Sequence, residues 1–185
     1  MPIIRLNEFL PDTQQIGLGV VVGQAGWEQV LENNKQAFMA EYVQRARFVA
    51  GYASSLTPGQ FVDQLYGRAG VTPTAAERTA VVNEFGGAAT SSDVGARGRA
   101  LRRVVEHATL STNEFNRAFV LMQYFGYLRR NPNDPQDPDY TGYDFWLTKL
   151  NNFTQPGDDV LVRVQKAEMV KAFISAGEYR GRFGP

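Results

Sequence analysis

The stretch Phe119-Val-Leu-Met-Gln-Tyr-Phe-Gly-Tyr-Leu128 is the longest apolar segment of the chain. It follows Ser111-Thr-Asn-Glu114, in which Ser and Glu have the spacing of a helix-starting capping box. The helix predicted here is apolar nearly all round, which is typical of the buried centre of a domain. The segment has about half the length that a membrane span needs and is flanked by arginine, so we expect no membrane span.

The segments on either side of this helix predict a mainly α fold with about six to eight helices. Apolar residues recur at helical spacing from Trp27 to about Tyr52, and Thr57-Pro58 and Thr72-Pro73 are typical helix starts. Residues 1–26 lack this periodicity, and their β-branched, glycine-rich run Ile16–Gly23 predicts an extended or short β arm. We therefore expect an N-terminal arm or connector over 1–26 and a single helical domain over 27–185.

Composition excludes several classes of function. The 185 residues carry a formal charge of zero, which argues against a broad nucleic-acid or anionic-membrane surface. The chain has no cysteine and one histidine, so it has no disulfide, no thiol nucleophile and no Cys/His zinc site. His107 ends an arginine-rich segment, where a helix dipole favours positive charge. No pair of carboxylates stands out as in a glycosidase, and we expect no enzyme activity.

Two parts of the chain repeat each other loosely. Phe61-Val62 followed by Tyr66 matches Phe119-Val120 followed by Tyr124, at an offset of 58. Later matches keep the same order, down to Glu114-Phe115 with Glu178-Tyr179. The two predicted copies cover about 57–115 and 116–183. Any two amphipathic helices align at some offset, so chance similarity is the alternative to duplication.

The apolar segment and its neighbours also resemble a known family. The motifs are Phe119 to Asp134, Gly142-Tyr-Asp-Phe-Trp146, Glu168 to Ile174 and Glu178-Tyr-Arg180. They resemble the bacterial domains of unknown function numbered 4214, over about residues 57–183. The first copy lacks the glycine and tryptophan that the second keeps at Gly142 and Trp146. The resemblance implies a helical domain like the linker domains of phycobilisomes, with no catalytic residues to carry over.

The resemblance also implies where such a domain acts. Domains of this family commonly lie on the C-terminal side of long exported or surface-attached bacterial proteins. We therefore expect the C-terminal portion of an exported protein, extracellular or at the cell surface, whose export signal lies upstream. The expected function is that of a structural module that self-associates, as a homo-oligomer or filament, or docks to other cell-envelope proteins. No nucleic-acid partner is expected.

The loop 131–144 is the best candidate for a metal site. Asp137, Asp139 and Thr141 before Gly142 have the spacing of positions 1, 3, 5 and 6 of a calcium loop. The twelfth position is Thr148, where that pattern needs glutamate, so any site here departs from it. The candidate calcium ligands are Asn133, Asp134, Asp137, Asp139 and Asp144. A calcium-dependent adhesion or glycan-binding module is the alternative function, and a solvated turn capping the next helix is the plain alternative.

Two further segments are candidate interaction surfaces. From 94 to 130 there are seven arginines against two glutamates, and from 131 to 159 six aspartates against one lysine. Opposite charges of this kind steer head-to-tail association, although each block is also typical of a solvated face. The arginines concerned are Arg97, Arg99, Arg102 and Arg103. The apolar run Val20-Val21-Val22 is suited to adding a strand to a neighbour, or to packing along its own domain.

Overall fold

The computed structural model describes residues 4–135, 137–153 and 159–183. These residues are mainly helical, as predicted, and contain ten α-helices and no strand. A 3₁₀ turn covers Asn83–Phe85, and a π-helix covers Tyr124–Leu128. The helices are α1 Leu6–Gly17, α2 Trp27–Tyr42, α3 Ala46–Gly51, α4 Pro58–Ala69, α5 Ala75–Val82, α6 Val94–Val105, α7 Ala108–Gln123, α8 Thr141–Phe153, α9 Asp159–Ser175 and α10 Gly177–Gly181. None of the described helices combines the length and apolar character that crossing a membrane requires.

The chain packs into two compact units. One consists of residues 9–111, and the other combines residues 1–8 with 112–185. The predicted single domain over 27–185 and the duplication into copies 57–115 and 116–183 stay predictions.

The extended or β arm predicted for residues 1–26 is wrong for the part that the structure describes. Leu6–Gly17 form α1, and turns connect it to α2. Arg5 immediately precedes α1, and its backbone N–H donates to Glu8 Oε2, which is one of the two hydrogen bonds of a capping box. The valine run lies in turns, and Gly19 and Gly23 on either side of it adopt left-handed φ angles of 70° and 89°.

Helix starts in the unit 9–111 follow local capping chemistry. Thr57 and Gln60 form the capping box of α4, with Pro58 in its first turn as predicted. The cap of α5 is Thr74, which pairs with Glu77, rather than the predicted Thr72. The helical pattern expected to run to Tyr52 breaks after Tyr42, and α3 follows as a separate short helix.

Arginines from other helices cap the end of α3. Arg68 of α4 donates to the carbonyl oxygen of Gly51 at 2.8 Å. Arg97 of α6 donates to the carbonyl oxygen of Tyr52, the C-cap residue, at 2.7 Å. Carbonyls at a helix C-terminus have no partner within the helix, so these side chains supply the missing donors.

The core of this unit is built from aromatic and β-branched side chains. Phe61 is fully buried and makes edge-to-face contacts with Phe85 and Tyr52, at centroid distances of 5.7 and 5.5 Å. Helices α2 and α6 approach closely at Gly98. A methyl group built there would lie 3.1 Å from the backbone nitrogen of Ala40. Glycine at this position therefore permits the close packing of the two helices.

The helix predicted from the capping box differs from α7 in two ways. The observed helix α7 begins at Ala108, so Ser111 lies inside α7 and donates its N–H to the carbonyl oxygen of His107 at 2.9 Å. Phe115 is 55% exposed, so the first half of the helix is not apolar core. Apolar burial begins further along, at Val120 and Leu121, and continues into the π-helix.

Candidate functional site

Arg130 organises the acidic loop in the unit formed by 1–8 and 112–185. Its Nε and Nη2 donate to Glu178 at 2.7 and 3.1 Å, and Nη2 also donates to Asp137 at 2.6 Å. Nη1 donates to the carbonyl oxygens of Asn131 and Pro132 at 3.1 and 3.3 Å. The side chain is only 12% exposed. All of the N–H donors of this guanidinium are therefore used within the unit.

The start of the loop is fastened to the N-terminal segment of the same unit. Asn131 accepts from the backbone N–H of Leu6 at 2.8 Å, and Asn133 accepts from Arg5 at 2.6 Å. Asp134 accepts from the backbone N–H of Asn131 at 2.8 Å and lies 3.9 Å from Arg5. The hydrogen bond from Asn131 holds the pKa of Asp134 below its usual range.

The second half of the loop starts α8. Asp139 accepts from the backbone N–H of Thr141 at 2.9 Å, and this bond lowers the pKa of its carboxyl. Asp144 is exposed in the first turn of the helix. Acidic side chains at these positions favour the helix start, as the plain alternative predicts.

The candidate calcium ligands do not converge. Across residues 4–135, 137–153 and 159–183, no three His, Asp or Glu side chains gather in a way that suits a metal ion. Asn133 and Asp137 point to different arginines, and Asp139 points to its own backbone. Arg130 occupies Oδ2 of Asp137, so Oδ1 is the oxygen of that carboxylate that calcium can reach without displacing the arginine. The calcium site stays a prediction, and Gln136 of this loop lies outside the described residues.

A cleft of about 220 Å³ opens beside the Arg130 cluster. Its aromatic wall consists of Tyr124, Trp146 and Phe173, with Tyr124 and Phe173 in edge-to-face contact at 5.0 Å. Arg130 lies 5.3 Å from the ring centroid of Tyr124. Burial, and then the charge of Asp137, raises the pKa of Tyr124 to about 12.

Sequence reasoning did not place Arg130, Tyr124 or Glu178 in this site. Tyr124 was assigned to the apolar centre, and Glu178 lies 48 residues from Arg130. Two features of the sequence point toward the site. Arg130 immediately precedes the acidic loop, and Glu178 begins the motif Glu178-Tyr-Arg180.

The structure buries one arginine of the predicted interaction surface, Arg97. Arg97 is 4% exposed, donates to the carbonyls of Tyr52 and Ser91, and lies 4.6 Å from the Phe61 ring centroid. It cannot contribute to an interaction surface, which corrects that part of the prediction. Burial lowers its pKa, and within the described part of the chain no ion pair with a carboxylate offsets this.

The other three arginines of α6 are paired at the surface. Arg99 and Arg103 both bind Glu84, at 2.8 and 2.5 Å. Arg102 bridges Glu32 and Glu106 at 2.5 and 3.0 Å. These ion pairs join α6 to α2 and to the 3₁₀ turn, so the positive charge is largely compensated within the unit. A partner-binding role for these arginines stays a prediction.

The turn Gly17–Gly23 presents apolar side chains to solvent. Leu18 is 74% exposed, Val21 57% and Val22 76%, whereas Val20 is half-buried. Asn34 of α2 holds the turn by donating to the carbonyl oxygens of Ile16 and Leu18, at 3.0 and 2.8 Å. The exposed side chains therefore project from a fixed backbone.

His107 has a structural environment. Its Nδ1 accepts from the backbone N–H of Thr109 at 3.2 Å, and Nε2 lies 3.2 Å from Glu77 Oε1 without good hydrogen-bond geometry. Its ring lies edge-on to Tyr66 at 6.1 Å. The hydrogen bond to Nδ1 therefore comes from the backbone of Thr109 and not from its hydroxyl.

Comparison of the chain with protein-family models, curated proteins and solved structures gives no match. The resemblance to the domains numbered 4214 therefore stays an interpretation of the sequence motifs.

Proposed function

We propose that this chain is a non-catalytic structural module of a bacterial cell surface, which self-associates or docks to neighbouring envelope proteins. The observation that carries this proposal is the exposed apolar turn with Leu18, Val21 and Val22. Large apolar side chains that are clustered and solvent-exposed are typical of protein interfaces.

The fixed backbone of the turn supports this function. Gly19 and Gly23 set its left-handed corners, and Asn34 bonds it to α2. A preformed turn loses little conformational entropy when it binds, which favours association. A flexible apolar segment would lose more conformational entropy on binding.

The charge distribution favours apolar rather than ionic association. Each of these charges is paired inside its own unit. Carboxylates of the unit 9–111 bind Arg99, Arg102 and Arg103, and Arg130 of the other unit binds Asp137 of the acidic loop. Head-to-tail attraction between an arginine patch and an aspartate patch is therefore weakened. We expect association that persists at high ionic strength, where exposed ion pairs are screened.

The test is the molar mass in solution, measured by light scattering after size exclusion over a range of protein concentrations. We expect the chain to exceed its monomer mass of 20.6 kDa. The variant V21T/V22T keeps the side-chain shape but replaces one methyl group of each valine by a hydroxyl, and it should weaken association about tenfold or more.

The matched control is Val49→Thr, because Val49 is 49% exposed on α3, away from the turn in sequence. This variant should associate like the original chain. A chain that remains monomeric at the highest concentration refutes self-association. Equal weakening by both variants removes the turn as the contact surface.

A further inference from the structure

The cleft beside Arg130 has a chemical character that the structural role of the loop does not explain. Three rings, of Tyr124, Trp146 and Phe173, share its lining with the charged groups of Arg130, Asp137 and Glu178. Its volume of about 220 Å³ leaves room for a ligand of several non-hydrogen atoms. All of these residues lie in the unit formed by 1–8 and 112–185.

The charged groups of the cleft carry a formal net charge of −1. Asp137 and Glu178 each contribute one negative charge, and Arg130 contributes one positive charge. Burial raises the pKa of Tyr124, and the charge of Asp137 raises it further, while Arg130 acts in the opposite direction. An anionic ligand would be repelled, whereas a cation would be attracted.

The hydrogen-bonding capacity left in the cleft is on the acceptor side. Arg130 uses its donors on Glu178, Asp137 and two backbone carbonyls. Among the described residues, no hydrogen bond reaches Asp137 Oδ1, because Arg130 binds Oδ2. The hydroxyl of Tyr124 also receives no bond from them. A ligand that fits this set has to donate hydrogen bonds.

The aromatic wall favours the same ligand. Aromatic faces attract ammonium and guanidinium groups within about 6 Å, and tryptophan does so most strongly. Cations of the chain already use these rings, with Arg130 at 5.3 Å from Tyr124 and Lys149 Nζ at 5.3 Å from Trp146. Each of these cations is paired with a carboxylate, Arg130 with Glu178 and Lys149 with Glu168, so Lys149 does not change the net charge of the cleft.

We propose that this cleft binds a primary alkylammonium group, with its nitrogen on Asp137 Oδ1 and its alkyl chain against Trp146. A primary ammonium supplies both the positive charge and the donors that the cleft lacks. Its alkyl chain contacts the rings, as a lysine side chain does on apolar surfaces. The proposal does not depend on self-association through the apolar turn.

The experiment follows the indole N–H signal of Trp146 by NMR during titration with n-butylammonium. The variant Trp146→Phe identifies this signal, because Trp27 is the only other tryptophan. We expect a saturating shift with n-butylammonium, and none with n-butanol or butyrate. An equal shift with n-butanol, or no shift with the amine, overturns the proposal.

The deciding variant is Asp137→Asn, which keeps an oxygen for Arg130 but removes the negative charge. We expect n-butylammonium to bind about tenfold more weakly to it. The matched control is Asp139→Asn, because Asp139 belongs to the same loop but does not line the cleft. Unchanged binding to Asp137→Asn, or equal loss in the control, overturns the proposal.

A second pair of titrations identifies the source of the ammonium group. Nα-acetyl-lysine methylamide represents a lysine of a partner protein, and n-butylammonium represents a free amine. Tighter binding of the first assigns the cleft to peptide recognition, and tighter binding of the second assigns it to a small amine. Either result supports the proposal.

Discussion

Arg130 and Glu178 lie 48 positions apart in the chain and form a two-point ion pair, with N–O distances of 2.7 and 3.1 Å. Glu178 lies in the first turn of α10 and Arg130 follows the π-helix, so the pair joins the start of α10 to the start of the acidic loop. The two side chains are 12% and 20% exposed, so solvent screens the pair much less than a surface ion pair.

Glu178→Gln should destabilise the chain by about 1–3 kcal/mol, because a charged, mostly buried partner of Arg130 is lost. Urea denaturation measures the free energy of unfolding. The control is Glu114→Gln, which breaks an exposed pair with Arg117 and should cost less than about 1 kcal/mol. Equal costs would mean that the Arg130 pair contributes no more than a surface contact.

Gly98→Ala should destabilise the unit 9–111 by about 1–3 kcal/mol through overpacking. The added methyl group meets the Ala40 and Met39 backbones at 3.1 to 3.2 Å, so it forces α2 and α6 apart. Gly67→Ala in α4 is the matched control, since nothing lies within 4 Å of the added atom. That change should stabilise the chain by up to about 1 kcal/mol through helix propensity. Thermal unfolding of both variants gives the comparison, and stabilisation by Gly98→Ala would contradict it.

Gly142→Ala should be destabilising because its methyl group would lie 2.7 Å from the hydroxyl oxygen of Tyr124. Tyr124→Phe removes that oxygen, so the second change should relieve part of the cost of the first. A double-mutant cycle should give a coupling free energy of about 1 kcal/mol. Additive effects would show that the clash lies elsewhere.

The hydrogen bond from the Asn131 backbone lowers the pKa of Asp134, which makes stability depend on pH. A lowered carboxyl pKa stabilises the folded chain at neutral pH, and this contribution is lost as the pH falls below about 4. Asp134→Asn resembles the protonated acid, so it should cost about 1 kcal/mol at pH 7 and almost nothing at pH 2.5. Urea denaturation at both pH values is the measurement, and an equal cost at both would refute the assignment.

Calcium at millimolar concentration should give no binding heat at neutral pH. Asp137 is held by Arg130, Asn133 by Arg5, and Asp139 by the backbone of Thr141, so the candidate ligands are not free to converge. Titration calorimetry is the measurement. Heat that D137A/D139A abolishes would instead establish the calcium-dependent module.

Local chemistry predicted part of the fold. Thr57 and Pro58 mark the start of α4 because these residues act on their own neighbours. The sequence analysis did not predict α1, because the glycine-rich, β-branched stretch Ile16–Gly23 favours an extended conformation and was applied to the whole of residues 1–26. The capping box at Ser111 was misread because a helix had already begun at Ala108.

The site was harder to predict because its contacts are distant in sequence. The loop was recognised from its aspartates, but their orientation depends on Arg5 and Arg130. The arginines of α6 were recognised as a cluster, yet their partners Glu32 and Glu84 come from earlier segments. Charge counted along the chain does not reveal which ions pair in the fold.

The C-terminal end of α3 is capped by side chains of other helices, and this affects the order in which the helices form. Six residues are too few for a stable isolated helix. The last carbonyls of α3 accept hydrogen bonds from Arg68 of α4 and Arg97 of α6, which both come after α3 in the sequence. We therefore expect α3 to become ordered during refolding only after α4 and α6 have docked. Its amides should gain protection from hydrogen exchange after those of α6, so α3 reports the completion of this unit rather than its nucleation.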